Sequence, residues 1–114
     1  MIDTQAVLDI FFMAITVDNE IHVSEIKTIQ DIIENSPYKF PDDVDEQIQN
    51  LKINDQETIK QNFDKAIAKL ASEAIEDKRA ILRLIMKIVD ADNIMHQNEV
   101  RLISGIIKDW NIEV

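Results

Sequence analysis

The sequence predicts an all-α protein, a compact bundle of roughly six to seven helices that contains two pseudo-repeated αα-hairpins. Three observations lead there. The 114 residues include 1 Gly and 2 Pro, too few for a hairpin-rich sheet or a phosphate-cradling loop. Apolar residues recur at helical spacing, and no stretch alternates as a strand would. One short pattern also occurs twice, as VDNEIHVSE at 17–25 and ADNIMHQNE at 91–99.

Taken in order, Thr4 can cap a first helix that runs to about Val17. Its apolar residues cover nearly every face, which predicts a central, buried helix. A second helix is expected over Val23–Glu34, with Ile26, Ile29, Ile32 and Ile33 as its stripe, and Asn35-Ser36-Pro37 ends it because Pro cannot continue the hydrogen-bond ladder. Pro41-Asp42-Asp43 opens a short helix to about Leu51, since Pro and acids suit a first turn. Asn54 or Asp55 starts the next, with Ile59, Phe63, Ala66, Ile67, Leu70 and Ala74 on one side. A break is expected near Glu76-Asp77. After it comes a helix over Lys78–Ala91, apolar nearly all round, and a last helix over Gln97–Asp109 with Val100, Ile103, Ile106, Ile107 and Trp110 as its stripe.

At an offset of 74, residues 18–33 match residues 92–107 at seven of sixteen positions: Asp, Asn, His, Glu and three Ile. Each unit reads as a buried helix, a tight bend and an amphipathic helix. Neither can bury its apolar face alone. The expectation is one domain over 1–114, with repeat units at about 4–35 and 78–110 packed on each other and middle helices over 41–75 as cover.

Much of the repeated bend has a structural explanation. Asn19 and Asn93 suit the left-handed conformation that ends a helix. With His22 as N-cap, Glu25 is the N3 residue of a capping box, and Ile21 with Ile26 forms a hydrophobic staple; Met95, His96, Glu99 and Val100 repeat the arrangement. Asp18 and Asp92 fit less simply. Each follows the C-terminal end of a helix, where the dipole disfavours an anion by about 0.3–1 kcal/mol. Either an Asx-turn compensates or a cation does. His22 and His96 are mediocre caps and read either as packed or exposed rings or as metal ligands. An EF-hand is excluded. In the register that places Asp90, Asp92 and Glu99 on ligand positions, Ile88 takes the first position and Asn93 the obligatory glycine.

The formal net charge is −10, which repels phosphate backbones and argues against nucleic acid as a partner. Cations or basic protein surfaces suit it better. Cys is 0, which removes disulfides, thiolate metal sites and a cysteine nucleophile. The longest apolar run, Ile10–Ile15, is too short to span a bilayer, and no basic residue precedes the N-terminal apolar stretch, unlike a secretory signal. The expected location is the cytoplasm. No Ser/His/Asp set or Gly-rich loop is placeable, and a bundle di-metal site would need more inward carboxylates than Asp9 and Asp90. No catalytic residue is assigned, and no enzyme activity is expected.

At these bends the chain resembles the TerB-like family, the tellurite-resistance and co-chaperone-associated helical domain. Members typically carry A-x-x-D-G-x-I-x-x-x-E twice in a chain of about this size, and the resemblance spans essentially all of this one. It implies a compact bundle of about seven helices, no established catalysis, an acidic face proposed to bind divalent metal, and a role in stress-response or membrane-associated assemblies. Carried over, the acidic positions are Asp18, Glu25, Asp92 and Glu99. Asn19 and Asn93 stand where the family usually has Gly. His22 and His96, less usual there, add nitrogen donors and leave a transition metal open beside Ca²⁺ or Mg²⁺.

Two functions follow as expectations. One is a non-enzymatic scaffold or binding module whose paired acidic bends take a divalent cation (Ca²⁺, Mg²⁺ or Zn²⁺). The other is an acidic protein-binding module or inhibitor without metal. Its surface would be Pro41–Glu57, with six acids against one Lys, and Asp42, Asp43, Asp45 and Glu46 as the partner-binding residues. A protein partner is expected in both cases, a peripheral membrane-associated complex is compatible with the first, and membrane insertion is not expected.

Overall fold

The structure, a computed structural model, describes residues 2–17, 21–91 and 97–112. Among these, the chain forms six helices and no strand: α1 (Thr4–Thr16), α2 (Val23–Asn35), α3 (Val44–Asn50), α4 (Gln56–Leu70), α5 (Ile75–Val89) and α6 (Gln97–Asp109). No helix is long and apolar enough to cross a membrane among the described residues.

α1 is the axis of the bundle. Val7, Leu8, Ile10, Phe11, Ala14 and Ile15 are all buried, as the all-round apolar pattern requires. Each such Leu, Ile or Phe contributes about 1.5–3 kcal/mol by leaving water. α1 packs on α4, α5 and α2, and α5 in turn packs on α2 and α6. The most extensive of these interfaces is α1 with α4. The middle segment is therefore more than a cover over two stacked hairpins, as Ile59, Ala66, Ile67 and Leu70 of α4 are part of the same buried cluster as α1. Phe40 approaches Phe11 with ring centroids 6.5 Å apart, and Val44, Ile48 and Leu51 add α3 to that cluster.

The hairpin repeat is visible in the helix bounds. α2 and α6 are each 13 residues long, and both ends of α6 lie 74 positions after those of α2.

Local details differ from the sequence expectations for physical reasons. Asp3, not Thr4, caps α1, accepting from the Ala6 N–H at 3.0 Å; the Thr4 hydroxyl donates instead to the Lys39 carbonyl at 2.9 Å. Asp3 also pairs with Lys69. That contact, followed by the Ala6 N–H, holds its carboxyl below the usual range. A depressed carboxylate stabilises the fold above its unfolded pKa, and the contribution is lost as pH falls through the folded value.

α3 begins at Val44, after a turn at Asp42-Asp43. The break before α5 falls at 71–74, and Glu76 and Asp77 are first-turn residues of α5. Two acids there suit the positive end of the helix dipole and do not end a helix. Lys78 Nζ donates back to the Ala71 carbonyl at 3.0 Å, satisfying the end of α4.

α5 is not apolar all round. Ile81, Leu82, Ile85, Ile88 and Val89 are buried, while Arg83 and Lys87 are exposed and Met86 is 45% exposed. α6 closes with Asn111 at φ 54°, the left-handed conformation that Asn tolerates. The Ile112 N–H reaches the Ile107 carbonyl at 3.0 Å, the 6→1 bond of a Schellman cap. This turn seats Trp110 in the core, where its Nε1–H donates to the Ile67 carbonyl of α4 at 3.1 Å.

Candidate functional site

The bend residues come first. His22 is the N-cap of α2, in extended backbone conformation, and Glu25 is N3. Glu25 Oε1 accepts from the His22 backbone N–H at 3.4 Å, a long capping-box contact. Ile21 and Ile26 are half-buried against the core, as a hydrophobic staple requires.

Glu25 is 2% exposed and Glu99 is 1% exposed. They occupy the third position of α2 and of α6. Carboxylates are seldom this buried, and those that are have partners or ligands. A helix N-terminus, with its unpaired N–H groups and positive dipole end, is where such a carboxylate is best accommodated.

The start of α6 approaches the end of α1. Asn98 Nδ2, in the first turn of α6, donates to the carbonyl of Val17 at the end of α1 at 3.4 Å. Asp18, Asp92 and His96, together with Asn19 and Asn93, lie outside the described residues. Among the described residues no group of three or more His, Asp or Glu is placed to hold a metal ion. Of the six predicted ligands, His22, Glu25 and Glu99 have described positions.

The acidic stretch is where the sequence placed it. Asp42, Asp43, Asp45 and Glu46 are all exposed at the start of α3. Asp43 accepts from Gln47 Nε2 at 2.9 Å, and Asp45 accepts from Gln30 Nε2 at 3.1 Å. Among the described residues none of the four forms an ion pair with Lys or Arg.

A further polar feature adjoins this patch and was not foreseen. A cleft of about 180 Å³ opens between α1, α3 and α4. Asp9 and Gln5 line it from α1, Gln47 and Asn50 from α3, Asn54 from the following turn and Asn62 from α4. Gln5 and Gln47 exchange a pair of amide hydrogen bonds, at 2.8 and 3.0 Å. Gln5 Nε2 also donates to Asp9 Oδ1 at 3.2 Å. An unbroken hydrogen-bonded chain thus runs from Asp9 through Gln5 and Gln47 to Asp43 on the acidic surface.

Burial pushes the Asp9 carboxyl above the usual range, the Gln5 amide opposes this, and the Asp3 charge adds to it. The one signal in the sequence was an Asp on an otherwise apolar helix with Gln four residues before it. The amides that complete the cleft come from remote segments that share no motif.

The family model described as tellurite resistance protein TerB matches residues 4–112, nearly the whole chain. No curated protein and no solved structure matches it. With its all-helical architecture, its duplicated bends and a family match from α1 to the C-terminal cap, the chain belongs to the TerB family.

Proposed function

We propose that this protein is a non-enzymatic binding module of a tellurite-resistance-type stress-response system, whose two acidic bends together take a divalent cation. The observation that carries this reading is the matched burial of Glu25 and Glu99 at the first turns of α2 and α6. The Asn98–Val17 contact, which brings the start of α6 to the end of α1, supports it. Asp18 and Asp92, with His22 and His96, would complete the donor set. Carboxylates alone suit Ca²⁺ or Mg²⁺, and imidazoles added to them suit Zn²⁺. A cytoplasmic location fits this role, as does docking to a peripheral membrane-associated complex.

Thermal melts with Ca²⁺, Mg²⁺ or Zn²⁺ test the proposal. A ligand at 100 times its Kd stabilises by about 2.7 kcal/mol, a rise of roughly 10 °C or more for a domain this size. The rise should vanish in the Asp18→Asn/Asp92→Asn double variant. Melts unmoved by all three cations remove the metal from this reading.

A second reading is favoured by the exposed acids at the start of α3, which form no ion pair among the described residues. In it the protein is an acidic module that binds a basic protein partner without metal. Neutralising Asp42, Asp43, Asp45 and Glu46 should then weaken capture of a Lys/Arg-rich peptide at least about tenfold at low salt, and raising the salt should mimic the substitutions. Capture that is indifferent to both changes rules this reading out.

A further inference from the structure

The geometry points to the cleft between α1, α3 and α4 as a guanidinium site, which receives an arginine side chain from the basic partner of the acidic α3 face. The source of the arginine rests on that second reading; the chemistry of the cleft does not.

Among the described residues Asp9 is the one charged group lining the cleft, and it is negative. The other polar groups around it are amides, which donate as well as accept, and the Gln5 and Gln47 oxygens already accept from each other. The charge of Asp9 therefore sets the sign of the ligand, and the Asn50, Asn54 and Asn62 oxygens offer further acceptors to a cation with several donors. An ammonium presents three donors from one strongly hydrated point. A guanidinium presents five in a plane and is more weakly hydrated, so it enters a half-buried site at lower cost. At about 180 Å³ the cleft is well beyond what one water molecule needs and roomy enough for a planar head group. Phe12, Leu51 and Ile59 supply apolar lining, on which a guanidinium face and an aliphatic stem can rest.

The surroundings favour a side chain arriving from outside. The chain's own cations near Asp9 are Lys65 and Lys69 of α4, which line an adjoining, slightly smaller cleft that Asp9 shares with Asp3. Lys69 is engaged by Asp3, and neither lysine lines the larger cleft. The Gln5–Gln47 pair joins Asp9 to Asp43, so the cleft and the acidic surface form one continuous polar face. Ile53, 82% exposed, adjoins Asn54 in the turn after α3 and offers an apolar contact beside the opening. A basic peptide would thus meet diffuse acids for steering, one apolar residue, and a single recessed carboxylate that selects arginine.

The test is an amide chemical-shift titration of the full chain with N-acetyl-arginine methylamide, and in parallel with the lysine analogue. The arginine compound should give saturable shifts centred on Gln5, Asp9, Gln47 and Asn50. The lysine compound should bind several-fold more weakly. Asp9→Asn keeps the side-chain shape and the acceptor for Gln5, yet should weaken arginine binding at least about tenfold. Asn50→Leu, at an exposed position that lines the cleft, should weaken it as well and guards against a folding defect in the first variant. Binding should also fade as pH falls through the raised pKa of Asp9, because the protonated acid has no charge to offer.

Shifts that fail to saturate, that persist in Asp9→Asn, or that are equal for the two analogues overturn the guanidinium site. If a basic peptide is captured through the α3 acids while the cleft stays silent, the partner reading stands and this inference falls. If the analogue binds the cleft while neutralising the α3 acids changes nothing in peptide capture, the site stands and the partner reading falls.

Discussion

Replacing Trp110 with alanine is expected to destabilise the protein by about 3–5 kcal/mol, the range for truncating a large buried aromatic. Trp110 is 2% exposed and lies just past the end of α6, so its burial holds the C-terminal turn against the bundle. Its indole N–H donates to the Ile67 carbonyl, tying that turn to α4 across a sequence separation of 43 residues. Trp110→Phe retains much of the apolar area and removes the donor. Its expected cost is smaller, about 1–2 kcal/mol, from the lost hydrogen bond and the residual space. Urea unfolding followed by circular dichroism measures both, since Trp110 is the chain's one tryptophan and fluorescence would vanish with it. The midpoint should fall with the slope unchanged. A loss below about 1 kcal/mol for Trp110→Ala would mean that the C-terminal turn is not docked on α4.

Removing the buried carboxylates is the other large effect. Glu25→Ala and Glu99→Ala are each expected to cost about 2–3 kcal/mol, because each leaves a void and strands polar groups that the carboxylate had satisfied. For Glu25 one such group is the His22 backbone N–H. Glu25→Gln and Glu99→Gln keep size and an acceptor oxygen, so without added metal they should cost distinctly less than the alanine changes. The double alanine variant is informative because of the proposed pairing of the bends. Groups in one network depart from additivity by about 0.5–3 kcal/mol, while independent sites add. Coupling in that range, together with loss of the cation-induced melting shift in the glutamine variants, is the result that a shared site requires. Strict additivity with an intact cation response would leave two separate helix-start carboxylates and no joint site.

These cases also mark how far local sequence rules reached. His22 as N-cap with Glu25 as N3 was legible, because a capping box is decided within one turn of helix. The bounds of α6 are legible for a similar reason, since Ile103, Ile106 and Ile107 and the first-turn Glu99 lie within the segment; Trp110 falls just beyond it, and Val100, expected in the same stripe, is 46% exposed. Asp3 rather than Thr4 caps α1 because Asp is the stronger cap and because Lys69 from α4 and the Lys39 carbonyl, both distant in sequence, engage the two side chains. The expected break near Glu76-Asp77 falls a few residues earlier, at 71–74, and the two acids lie in the first turn of α5, where they suit the helix dipole. The continuous apolar pattern of α5 overstated its burial. Arg83, Met86 and Lys87 face outward because α1, α2 and α6 cover the opposite side.

The helical class, the repeated bend motif with its two helix starts, and family membership are legible from the chain alone. Each of these is written in periodicity or in a motif spanning a few turns, where neighbouring residues settle the outcome among themselves. Packing between distant helices makes α4 the main support of α1, buries Glu25 and Glu99, and sets Asp9 in an amide-lined cleft hydrogen-bonded through to the acidic surface. Those outcomes depend on groups such as Gln5 and Gln47, 42 residues apart, whose meeting is set by how whole helices pack and is carried by no local pattern.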